Sequence, residues 1–93
     1  MSDSLRTGKV LQRDMPRITV LYFATLREQK GCGEEEIDVA ADLTLQKLYL
    51  TLFPPGPQGY LPVAFARNAV YASGSEPIQD GDEVAFIPPV GGG

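Results

Sequence analysis

Asp80-Gly81-Asp82-Glu83-Val84-Ala85-Phe86-Ile87-Pro88-Pro89-Val90-Gly91-Gly92-Gly93, the run DGDEVAFIPPVGGG over residues 80–93, is the stretch on which the fold turns. Its opening Asp-Gly-Asp has the chemistry of a tight turn, because Asp bonds its own backbone locally and Gly accepts unusual dihedrals. Glu83–Ile87 is then apolar almost throughout, as a strand covered on both faces would be. Arg17–Phe23, RITVLYF, has the same character and is rich in β-branched and aromatic residues. A first and a last strand that are both continuously apolar belong side by side in the middle of a mixed sheet, with a helix as the crossover.

The intervening residues supply that helix and the outer strands. Ala24–Lys30 reads as a short polar segment, and Gly31-Cys32-Gly33 breaks the chain. Glu34–Val39 alternates Ile37 and Val39 with Glu36 and Asp38, the pattern of a half-exposed strand hairpinned with the first. Thr44 is placed to cap a helix, and Leu45, Leu48, Tyr49 and Leu52 follow at helical spacing, giving about three turns over one face of the sheet. Pro54-Pro55 and Gly56-Pro57 end it near Phe53. Val63–Arg67 reads as a third strand, Asn68 as a turn, and Val70-Tyr71 as a short pairing segment. The order strand, strand, helix, strand, strand is that of an α+β, ubiquitin-like β-grasp fold with one main helix. Residues 1–14 read as a flexible extension, 15–87 as the domain, with Met15 a candidate for its true start, and 88–93 as an extended tail.

Ninety-three residues make one domain, and 43% hydrophobic with 22% charged residues is an ordinary globular balance. A net charge of -4 argues against a nucleic-acid partner, which would call for clustered Lys and Arg. Neither a signal peptide nor a membrane-spanning run is present, and the lone Cys32 has no internal disulfide partner, which makes the cytoplasm the simplest address.

Conventional catalysis finds no residues. The absence of histidine removes the usual base of a Ser or Cys triad, and no Cys/His set would hold a metal. Cys32, between two glycines, reads as an exposed incidental thiol. Gly31-x-Gly33 lacks the rest of a dinucleotide fingerprint. Glu34-Glu35-Glu36 reads as a solvated strand edge that discourages aggregation, and Asp80, Asp82 and Glu83 as turn residues. The tail remains. A glycine-rich terminus is either a frayed end or, placed directly after a central strand and stiffened by Pro88 and Pro89, a peg of about 20 Å that fits a narrow channel in another protein. A peg without side chains would have only the carboxylate of Gly93 for chemistry.

Over residues 17–93 the chain resembles the MoaD/ThiS sulfur-carrier family, in its molybdopterin branch. The resemblance rests on ITVLYFATLRE (18–28), the TL-x-x-L helix opening at Thr44, AFARN (64–68) and, above all, DGDEVAFIPPVGGG. A third glycine at Gly91 and the 14-residue extension depart from the pattern. The resemblance implies that the Gly93 carboxylate is adenylated by a MoeB-like partner enzyme using ATP and converted to a thiocarboxylate. Its sulfur would then go to cyclic pyranopterin monophosphate in the MoaE-like large subunit of molybdopterin synthase. It implies a non-catalytic sulfur-donor subunit of a hetero-oligomer with no bound cofactor. Gly91, Gly92 and Gly93 would occupy the partner's channel, and Ile87, Pro88, Pro89 and Val90, with Phe23 and Arg27 as further candidates, would dock beside it. Core packing is the competing role for Phe23 and Ile87. A sulfur carrier for thiazole, a tungsten-pterin or thiolated tRNA, and a ubiquitin-like modifier of lysines, stand as alternatives.

Overall fold

The computed structural model describes residues 15–89; the extension expected over residues 1–14 and the tail residues Val90, Gly91, Gly92 and Gly93 lie outside them. In chain order the elements are β1 (Arg17–Tyr22), α1 (Ala24–Lys30), β2 (Glu34–Asp38), α2 (Leu45–Leu52), β3 (Ala64–Arg67), β4 (Val70–Ala72) and β5 (Glu83–Ile87). They build one five-stranded sheet ordered β2-β1-β5-β3-β4. β1 and β5 are parallel neighbours at its centre, Val20 beside Val84 and Tyr22 beside Phe86, and every other pairing is antiparallel. The β-grasp arrangement expected from the element order is thus the one formed.

Side-chain alternation sends Ile18, Val20 and Tyr22 of β1 and Val84 and Phe86 of β5 to the helix side, where each is at most 1% exposed. Leu45, Leu48 and Tyr49 of α2 close over them. Phe86 lies at the aromatic centre, its ring 5.2 Å from Tyr49 and 5.8 Å from Phe65. Each side chain so buried contributes about 1.5–3 kcal/mol, so these few residues dominate the stabilisation of a small domain.

Helix α2 begins as the sequence suggests, with Lys47 N–H donating to Thr44 Oγ1 at 3.2 Å. Its eight residues make about two turns instead of three. The prolines end it where expected: Phe53, preceding Pro54, leaves helical geometry at φ -132°, ψ 75°. The loop after β4 completes the other end, because Leu45 and Gln46 donate their amides to the carbonyls of Glu76 and Gly74. Ala24–Lys30, read from sequence only as a short polar segment, forms helix α1, and the connection from β1 to β2 is therefore longer than a simple hairpin turn. Only Leu26 in it is buried, so no apolar stripe announces it. Gly31, at φ 78°, closes it in the left-handed conformation by donating to the Arg27 carbonyl, and Arg27 and Lys30 oppose the helix dipole in its last turn.

The β3–β4 turn is carried by Asn68 and Ala69, both at positive φ. Asn68 also fastens this turn to the start of β5: its amide donates to Asp82 Oδ1 at 2.9 Å, and its Oδ1 accepts from Glu83 N–H at 2.9 Å. Asp82, 6% exposed, additionally accepts from Gln79 N–H at 2.8 Å and pairs with Arg67 at 3.1 Å. A buried carboxylate is tolerated here because several donors satisfy it. Asp82 is thus a turn residue as expected, and a crosslink between three segments as well.

Two readings need correction. Cys32 is half-buried against the core, not an exposed thiol. The three glutamates do not form a uniformly solvated edge. Alternation turns Glu35 to the helix side, where its Oε2 accepts from the Tyr22 hydroxyl at 2.6 Å and lies 3.9 Å from Lys30 Nζ. Burial of the ring, reinforced by the Glu35 carboxylate, raises the Tyr22 hydroxyl pKa far above the ordinary tyrosine range.

Two outcomes follow for stability. A Cβ at Gly74 would lie 2.9 Å from Phe65 Cε2 and 3.1 Å from Gln46 Cβ. Gly74→Ala is therefore expected to destabilise by about 1–3 kcal/mol in urea titration. Because the folded state keeps Tyr22 protonated, its contribution is intact below about pH 10 and declines above it, as the unfolded chain ionises and the native one does not. Tyr22→Phe should flatten the alkaline fall of stability, measured as denaturation midpoint between about pH 9 and 11.5, by up to about 1.4 kcal/mol per pH unit.

Candidate functional site

Both helices lie against one side of the sheet, and among the described residues nothing packs on the other. Register assigns the residues of this open face. Thr19 and Leu21 of β1 lie level with Glu83 and Ala85 of β5. Ala64 and Ala66 of β3 lie level with Ile87 and Ala85, and Tyr71 of β4 lies level with Ala66. Small residues in the middle and larger ones around them leave a shallow hollow of about 300 Å³, lined by Leu21, Phe23, Ala66, Ala85, Ile87 and Tyr71 among others. Phe23 is 44% and Tyr71 75% exposed. Large aromatics left this accessible beside a continuous apolar surface mark a place where another surface packs.

The two ends of the sheet serve different purposes. Because β1 and β5 run parallel, Phe23 after β1 and Ile87 at the end of β5 lie at the same end, where the chain departs through Pro88 and Pro89. Pro88 is buried against the domain and Pro89 is exposed, so the chain is held until one residue before the tail leaves. Of the residues singled out from sequence, Phe23 and Ile87 are brought together on the open face instead of in the core. Arg27 stands on α1 with its guanidinium beside Gly33 and does not line the hollow. Val90, Gly91, Gly92 and Gly93 lie outside the described residues.

An acidic row borders the apolar surface. Glu34, Glu36 and Asp38 of β2 face the same side as Leu21, Thr19 and Arg17, their partners across β1. Arg17 bonds Asp38 at 3.0 Å and reaches Glu36 only at 3.9 Å, and the hydrogen bond to Asp38 raises its pKa further. Glu34 and, on β5, Glu83 have no ion pair among the described residues. The face therefore combines an apolar centre with a negative border.

Leu21, Ala66, Ala85 and Tyr71 were not singled out from sequence. Their signal was parity: once β1 and β5 are paired, Leu21 must share a face with Phe23, and Ala85 with Ile87. Chemically the face offers contact area and charge. No cluster of three metal-ligating side chains occurs among the described residues.

The molybdopterin synthase sulfur carrier subunit of Escherichia coli (strain K12) is 38% identical over 82 residues, covering 82% of this chain and 99% of that protein. Among solved structures, the small archaeal modifier protein 1 of Haloferax volcanii superposes with a TM-score of 0.67 at 28% identity, over 81% of this chain and 99% of its own. A chain of the complex of subunits 1 and 2 of the Helicobacter pylori molybdopterin-converting factor matches with a TM-score of 0.51 at 25% identity, over 83% of this chain and 99% of that one. The model of the ThiS family matches residues 20–93. That match runs from Val20 in β1 to Gly93, and the chain belongs to the ThiS family.

Proposed function

We propose that the chain is a sulfur carrier of molybdenum cofactor biosynthesis, with the carboxylate of Gly93 as its working group. The observation that carries this reading is that β5, held between β1 and β3 at the centre of the sheet, runs with only two prolines and a valine between it and three terminal glycines. A rigid base and a side-chain-free end suit delivery of a terminus into a confined site. The likeness to molybdopterin synthase sulfur carrier subunits points to the same use.

The chemistry compensates for the poor electrophilicity of a carboxylate. Gly93 attacks the α-phosphorus of ATP on a MoeB-like enzyme, pyrophosphate leaves, and an acyl-adenylate forms. Hydrosulfide adds at the acyl carbon and AMP departs, leaving a thiocarboxylate. In a MoaE-like large subunit the sulfur attacks the pyranopterin precursor, and water then releases the chain as the carboxylate. The partners supply bases and cations for these steps, so the carrier is a sulfur donor and not itself the catalyst. ATP is bound by the partner, and the cytoplasm is the compartment that suits the cycle.

Docking would use the open face. Phe23 and Ile87, with Leu21, Ala85 and Tyr71 around them, form its apolar centre; Pro89 and Val90 lead from it into the channel, which Gly91, Gly92 and Gly93 occupy. Pro88 fixes the exit, and Arg27 lies off this surface. The Helicobacter pylori structure is a complex of subunits 1 and 2 of its molybdopterin-converting factor, which supports docking to a second subunit. The likeness to a small archaeal modifier protein favours a second reading, in which a lysine amine takes the acyl group and forms an isopeptide bond.

Intact-mass analysis separates the two. After incubation with a matched adenylating enzyme, ATP and a sulfur donor, the chain should gain the difference between one sulfur and one oxygen, and lose it on addition of large subunit and pterin precursor. Conjugates on other proteins with no molybdopterin formed would favour the modifier. Deleting Gly93 should abolish the gain with an unchanged melting temperature. Phe23→Asp should weaken large-subunit binding by roughly 2 kcal/mol or more in calorimetry, since a charge would be placed in a desolvated contact, again without unfolding.

A further inference from the structure

The open face must be covered by something when no partner is bound, or present its aromatic residues to water and to other copies of the chain. We propose that its resident cover is the chain's own residues 1–14, lying across the acidic row and the apolar hollow and displaced when a partner docks. The displacement rests on the docking assignment above; the covering does not.

Three observations carry the assignment. The first is reach. The described chain begins at Met15, immediately before β1, whose first residue, Arg17, already lies in the acidic row beside Asp38 and Glu36. From Arg17 to Phe23 the sheet runs about 20 Å. Fourteen residues span up to about 45 Å, so the segment can double back along the whole face with length to spare.

The second is charge. Residues 1–14 carry Arg6, Lys9 and Arg13 against Asp3 and Asp14, a net +1, while the rest of the chain carries -5. The face holds four carboxylates, Glu34, Glu36, Asp38 and Glu83, against the single Arg17. Glu34 and Glu83 have no ion pair among the described residues and flank the path toward the hollow. A net-positive stretch of the chain thus adjoins the acidic row of the open face. A second copy would bring the same carboxylates against them.

The third is apolar content. Leu5, Val10 and Leu11 are the large aliphatic side chains of the segment, interleaved with its three basic residues. The hollow is apolar at its centre and acidic on its border, so one segment can satisfy both. Tethering makes the contact intramolecular, so weak pairings suffice for occupancy and a stronger partner can still displace them.

The test is NMR on the full chain at low concentration and low salt. Cross-peaks are expected between the methyl groups of Leu5, Val10 or Leu11 and the rings of Phe23 or Tyr71, and not with the helix-side residues Leu45 and Leu48. Arg6→Glu/Lys9→Glu/Arg13→Glu, outside the described residues, should abolish them and shift the resonances of Leu21, Ala85 and Ile87; about 1 M NaCl, which screens charges beyond about 3 Å, should weaken them. Absence of such cross-peaks in the wild-type chain would overturn the proposal. So would cross-peaks that appear only between differently labelled molecules, because the cover would then be a second copy.

Discussion

Parallel pairing of β1 with β5 is the constraint on which the rest of the molecule depends. It brings the start and the end of the domain into contact, sets Val20 beside Val84 and Tyr22 beside Phe86, and leaves a position for a further strand on each side. Parallel neighbours cannot be joined by a tight turn, so everything between them serves as crossover. Helix α2 is the part of that crossover that seals the core, and β3 and β4 fill the far side of the sheet before β5 enters.

The same pairing divides labour between the two faces. One is closed by aromatic and aliphatic packing around Phe86 and Tyr49. The other keeps Leu21, Phe23, Ala85 and Ile87 at the surface, next to the point where the chain leaves through Pro88 and Pro89. A carrier that must dock, present its end and be released gains from having contact surface and exit at one end of a rigid sheet. Rigidity there comes from the buried Pro88 and, at the opposite end of β5, from the Asp82–Asn68–Arg67 network.

Electrostatics separates neighbouring residues by the parity of a strand. Glu34 and Glu36 border the open face, while Glu35 between them is drawn to the helix side by the Tyr22 hydroxyl and Lys30. Identical side chains thus have different tasks: two contribute to a negative field that partners meet, and one satisfies a buried hydroxyl that would otherwise be costly.

Taken alone, the amino-acid sequence determined the order of the strands and the main helix, the central position of the two apolar strands, the Thr44 cap, the prolines that end α2 and the glycine end, because each follows from local periodicity or backbone chemistry. The assignment of Gly93 as the working group rests on the resemblance of the chain's end to the sulfur-carrier family, and Gly93 lies outside the described residues. Only the tertiary structure decided which side of the central strands is covered, and so placed Phe23 and Ile87 on the open face. Continuous apolarity carries no facing information until register is known. It decided α1 too, where a single buried Leu26 and a left-handed Gly31 outweigh a polar sequence, and the inward turn of Glu35. In each case the deciding partner lies far along the chain or on another element, where no local pattern reaches.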